Sequence, residues 1–113
     1  YDRRLHIYQS AYEFASRLSQ EMRADDKFLQ DFRLSVSAAH FLFDEEINEY
    51  LAELHNNGVG FMIAKGWFDK TILDPSKSDD RAKFGDMVNE DLSWFRDQIQ
   101  EMPKKFERYL KID

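Results

Sequence analysis

Apolar side chains recur at intervals of three and four residues along almost the whole of this chain, the repeat of α-helices that bury one face each. From Tyr1 to about Met22 they fall at Leu5, Tyr8, Ala11, Tyr12, Ala15, Leu18 and Met22. Arg3, Arg4, Gln9, Glu13, Arg17 and Gln20 stand between them, and Ile7 and Phe14 widen the stripe. A second stretch carries Phe28, Leu29, Phe32, Val36 and Ala39, and closes on Phe41-Leu42-Phe43. A third has Ile47, Tyr50, Leu51, Leu54, Phe61, Met62 and Phe68; a fourth has Phe84, Met87, Val88, Leu92, Phe95, Ile99 and Met102. No run alternates with the two-residue period of a strand.

The breaks carry helix-boundary chemistry. Asp25 or Asp26 follows the first stretch and Asp44 the second, each able to accept hydrogen bonds from the free N–H groups of a first turn. Glu45 and Glu46 suit the positive end of the helix that Asp44 opens. Asn56-Asn57-Gly58 and Gly60 interrupt the third stretch, so the helix either stops near Asn57 or runs on to about Lys70 with a weak centre; Leu51, Leu54, Gly58, Phe61, Lys65 and Phe68 keep their phase, which favours the long helix. Asp74 to Asp80 reads as a loop around Pro75, with Ser78 or Asp79 as the next N-cap. Pro103 predicts a kink or a stop, leaving a short last segment from Lys104 to Ile112 with Phe106, Tyr109, Leu110 and Ile112.

With 113 residues, one domain spanning 1–113 is expected. The pattern predicts an all-α fold, an antiparallel four-helix bundle with a short C-terminal fifth helix. Its core should be bulky and aromatic, given Phe 10 and Tyr 5. Cys 0 removes disulfides, thiolate metal sites and cysteine nucleophiles, and a net charge of −6 disfavours nucleic acid as a partner.

Residues that carry chemistry are sparse. His6, His40 and His55 have no Glu three positions before them, so the paired Glu-x-x-His of a helical metal centre is missing, and no zinc spacing occurs. No metal and no cofactor is expected. Ser35, Ser37 and Ser93 lack an adjacent base, and Gly58-x-Gly60 lacks the other glycines of a dinucleotide loop. A catalytic reading would need His40, Asp44 and a third polar group gathered around a cavity. Without such a cluster no catalytic residue is assigned and an enzyme is disfavoured.

Two surface features stand out. Glu46, Glu49 and Glu53 form one helical ridge in a segment with no Lys or Arg between residues 44 and 53. It is either a docking surface for a basic partner or a solvated face answered by Lys104, Lys105, Arg108 and Lys111. Trp67-Phe68 is either core or an apolar contact for a second chain.

The segment Tyr1-Asp2-Arg3-Arg4-Leu5-His6-Ile7-Tyr8, Phe14, Phe28-Leu29 through Ala39-His40-Phe41-Leu42-Phe43, Glu45 to Leu51, Trp94-Phe95 and Phe106 to Leu110 together resemble a family of small uncharacterised bacterial proteins. Members carry an N-terminal transmembrane segment, absent here, and a helical cytoplasmic domain. The family often has a charged stretch where this chain has Val59 to Trp67, and Pro where Arg108 stands. The resemblance implies the soluble part of a longer membrane-anchored chain, held at the cytoplasmic face of a bacterial inner membrane. Arg3 and Arg4 suit that side of a bilayer. The function expected is a non-enzymatic protein-interaction or scaffold domain, acting on a protein partner or on itself through Glu46, Glu49, Glu53, Trp67 and Phe68. The alternative is a small-ligand or metal-dependent helical sensor with a pocket between aromatic helices.

Overall fold

Helix α1 (Asp2–Glu21) takes up the first periodic stretch and ends where Met22 enters the left-handed region at φ 55, its N–H returning to the Leu18 carbonyl at 2.9 Å. The computed structural model describes residues 2–110, and every regular element among them is helical. Helix α2 (Asp26–Ser35) opens as its sequence predicts, the Asp25 carboxylate accepting from the Phe28 N–H at 2.8 Å.

Helix α2 is shorter than the periodicity of its stretch. The Ser35 hydroxyl donates to the Asp31 carbonyl and the Ser37 hydroxyl to the Leu34 carbonyl, competing with the helical ladder, and Val36 leaves helical geometry at φ −105, ψ 9. The chain restarts as a single-turn helix, α3 (Ala39–Leu42). The Asn48 amide nitrogen lies 3.2, 3.2 and 2.8 Å from the carbonyls of Ala39, Phe43 and Asp44 and stitches this turn to the start of the next helix.

Helix α4 (Glu45–Leu73) is capped by Asp44, which accepts from the Ile47 N–H, and runs unbroken through both glycines. The two glycines differ. Gly58 is buried, and a Cβ there would stand 2.8 Å from Leu29 Cδ2 and 2.9 Å from Phe14 Cζ. Gly60 has nothing within 4 Å. Gly58 is therefore the point where α1 and α2 close on α4, and its helix-propensity cost of about 1 kcal/mol is the cost of that approach.

After a 3-10 turn at Pro75–Lys77, helix α5 (Ser78–Leu110) completes the chain. The capping carboxylate of this loop belongs to Asp74, which accepts from the Ser76 N–H at 3.0 Å and hydroxyl at 2.7 Å; Ser78 and Asp79 are already helical. The expected short fifth helix is not separate. Pro103 sits inside α5, and the segment after it is the last turns of the same helix. Proline inside a helix costs about 3 kcal/mol. Met102 and Phe106, both at 0% exposure, flank it, and each buried side chain of this size contributes about 1.5–3 kcal/mol, enough to carry the helix past the break. Ile112 lies outside the described residues.

The core is aromatic. Phe14 stacks on Phe32 at 4.1 Å and on Phe28 at 4.9 Å and meets Phe95 edge-on at 5.9 Å. Phe106 is ringed by Tyr8, Phe43 and Tyr50. Helix α5 thus packs along both α1 and α4, in a molecule of 60 × 24 × 22 Å.

The glycines separate by experiment. Gly58→Ala gains helix propensity but overpacks the junction, which costs about 1–3 kcal/mol, so a net loss of stability is expected. Gly66→Ala, with open space around it, should gain about 0.5–1 kcal/mol. Urea unfolding of the two variants against the parent reads both signs.

Candidate functional site

Helix α4 presents two faces. Inward, Ile47, Leu51, Leu54, Gly58 and Phe61 are buried. Outward, Glu49, Glu53, Asn56, Gly60, Ile63, Trp67 and Lys70 follow one another at alternating steps of four and three residues, and all seven are exposed. That alternation is the seam of a heptad, the spacing by which a helix contacts a second helix. From Asn56 to Trp67 the outward seam has no charge, and Ile63 and Trp67 are 43% and 44% exposed. An ordinary surface helix is polar on its outer side.

The residues singled out from the sequence divide on this helix. Glu49 and Glu53 lie on the seam, and neither forms an ion pair among the described residues. Glu46 is answered from the end of α5, its carboxylate 3.3 Å from Arg108 Nη2. Trp67 lies on the seam, tilted against Phe84 at 5.3 Å. Phe68 turns the other way: half-buried, it occupies the space beside Gly85, with Lys65 Nζ 5.8 Å from its ring. Of the basic residues weighed against the acidic ridge, Lys104 pairs with Glu101 at 3.7 Å and Lys105 lies over the Tyr50 ring at 4.9 Å. Lys111 lies outside the described residues.

Two polar groups that sequence reading missed hold this helix in place. At its start, Arg108 Nη2 lies 3.0 Å from the Asp44 carboxylate, and the Tyr109 hydroxyl donates to the same oxygen. The Tyr109 hydroxyl, the Ile47 N–H and the Arg108 charge all stabilise the ionised form of Asp44 and hold its carboxyl below its ordinary value. Deeper, the buried Tyr50 hydroxyl donates to Gln98 Oε1 at 2.6 Å, and Gln98 Nε2 donates to the Trp94 carbonyl at 3.2 Å. Burial pushes the Tyr50 phenol above its usual range, so it stays a donor. The available signal was Gln98 itself, a polar residue between Phe95 and Met102 on an apolar stripe.

A groove of about 420 Å³ opens between α2, α3 and α4. Phe32, Val36 and Leu51 contribute apolar surface; Arg33, His40 and His55 bring basic groups, and no carboxylate lines it. Burial, aided by the Arg33 charge, pushes the His55 imidazole below its ordinary value. Asp44 faces Arg108 and Tyr109 and is not among the groove's lining residues, so the structure does not gather it with His40 around this cavity. Among the described residues, no three side chains of His, Asp or Glu form a group able to hold a metal ion, and no helix is long and apolar enough to cross a membrane.

No family model, no curated protein and no solved structure matches this chain.

Two variants test the supports of α4. Tyr50→Phe leaves the buried Gln98 acceptor without its donor and should cost about 1–3 kcal/mol in chemical unfolding. Asp44→Asn keeps a capping oxygen but removes the charge. Because the folded carboxyl titrates below its ordinary value of 3.8, its contribution is complete above that pH and is lost as pH falls through the folded value. The variant should therefore lose stability at neutral pH and show a shallower decline on acidification, read from unfolding midpoints across an acid pH series.

Proposed function

We propose that this chain is a non-enzymatic protein-interaction or scaffold domain whose docking surface is the outward seam of α4. The observation that supports it is the exposed, uncharged run of that seam through Asn56, Gly60, Ile63 and Trp67 on a helix whose opposite face already holds the core. Exposed apolar side chains such as Ile63 and Trp67 on the outer face of a long helix are expected where a second body covers them. Glu49 and Glu53 extend the seam with charge that no neighbour among the described residues answers, and Trp67 is the aromatic anchor that such surfaces favour. Glu46 and Phe68, engaged within the fold, act by shaping the edges.

The arrangement that presents this surface is an antiparallel four-helix bundle of α1, α2, α4 and α5. In support, Tyr8 meets Phe106 while Phe14 meets Phe95, and Tyr50 meets Phe106 while Trp67 meets Phe84, so partners run in opposite order along each pair. In the full-length protein the domain is tethered to the cytoplasmic face of a bacterial inner membrane, as the resemblance implies; coding sequence upstream of Tyr1 for about 20 apolar residues is its test.

A photo-activated crosslinker replacing Ile63 should give higher-mass adducts in cells, while the same group replacing Gln20 on α1 should not. Adducts from neither position, or equally from both, would remove the surface.

The groove favours a second reading, a small-ligand sensor. A basic rim over apolar surface, in a chain of net charge −6, suits a small anion with an apolar tail. Octanoate should then raise the melting temperature where octanol does not, and Arg33→Gln should abolish the shift.

A further inference from the structure

Resting on the interaction reading above, we infer that the partner on the outward seam of α4 is a second copy of this chain. The two α4 helices cross antiparallel about a two-fold axis between Gly60 and Ile63. A two-fold contact must be self-complementary, so that if one residue faces another across the axis the reverse also holds. Six of the seven seam residues meet this condition in three pairs, and Glu49 lies beyond them. With Gly60 opposite the second copy's Ile63, the heptad spacing sets Asn56 opposite Trp67 and Glu53 opposite Lys70.

Each pairing is chemically matched. Gly60 offers a hole, with nothing within 4 Å of where a Cβ would stand, and Ile63 is an exposed branched side chain of a size to fill it. The Asn56 amide is a polar partner for the indole N–H of Trp67, whose apolar body covers the seam beside it. Glu53 and Lys70 are opposite charges at the two ends of the uncharged run. Both are exposed and neither forms an ion pair within the described residues, although Glu46 and Lys65 do. Those free charges also select the orientation. A parallel pairing would set Glu53 on Glu53, Lys70 on Lys70, and the two bulky Trp67 rings on each other. The antiparallel pairing converts both like-charge contacts into attractive ones. The contact from Glu53 to Lys70 runs roughly 25 Å at about 1.5 Å per residue, a length that the 60 Å molecule accommodates without involving its ends.

The test is sedimentation equilibrium over a concentration series, with circular dichroism to verify folding. The parent should move from 13.5 kDa toward twice that mass. Glu53→Lys and Lys70→Glu should each weaken dimerisation on the order of tenfold, since each reversal acts at two symmetric contacts. The double variant Glu53→Lys/Lys70→Glu should restore the parent's affinity, a rescue that only a chain meeting itself can give. Gly60→Leu, whose Cβ meets nothing within 4 Å in its own fold, should weaken the dimer while the circular dichroism spectrum stays that of the parent. A parent monomeric at every concentration overturns the inference, as does a dimer indifferent to these four variants. If the parent is monomeric yet the crosslinker at Ile63 captures a protein of another mass, the second copy is wrong and the docking surface stands. A monomer with no adduct from Ile63 removes both.

Discussion

Three helices converge on a position that has no side chain. At Gly58, Phe14 of α1 and Leu29 of α2 approach the backbone of α4 to distances that a single methyl group would block. The Phe14 ring then stacks on Phe28 and Phe32 and turns its edge to Phe95, so one close approach joins residues from α1, α2 and α5 into a single cluster. Packed interiors transmit a misfit of this size because they contain little free volume. The glycine weakens α4 locally, but the burial that it permits on both sides exceeds that loss.

Helix α4 has two unlike faces, one buried and one exposed. Its inner seam is fixed at the start by Asp44, Arg108 and Tyr109, in the middle by Gly58 and the Tyr50–Gln98 bond, and at the end by Arg81, whose guanidinium donates to the Thr71 carbonyl at 3.0 Å. A cation at a helix C-terminus also meets the negative end of the dipole. Held at three points, the helix presents its outer seam as a preorganised surface. A partner that docks on such a surface does not have to order it first, which lowers the entropic cost of association.

Much of this architecture was legible in advance because helical periodicity is a local property. The stripes of α1, α4 and α5 follow from spacing alone, and Asp25 and Asp44 cap helices because a carboxylate three residues before a free N–H needs no distant partner. The misjudged elements are those in which a local rule met a tertiary one. The stripe from Phe28 to Phe43 looked continuous, but Ser35 and Ser37 direct their hydroxyls to backbone carbonyls and divide it. Pro103 predicts a kink or a stop by local rule, but the burial of Met102 and Phe106 carries α5 through it. On the surface, the ridge of Glu46, Glu49 and Glu53 was readable as a ridge. That Arg108 takes Glu46 and leaves the other two was not, because the pair is 62 residues apart.

The order of residues by itself determined that this chain is helical, where most helices begin, and that the segment between Asn57 and Ala64 lacks charge. Those properties depend on hydrogen bonds and side-chain spacing within a few turns. Only the tertiary structure decided which of two glycines is buried, which face of α4 is left open, and which acidic residues keep a free charge. Each is a question of what stands opposite, and opposition in space between residues dozens of positions apart is set by the packing of whole helices.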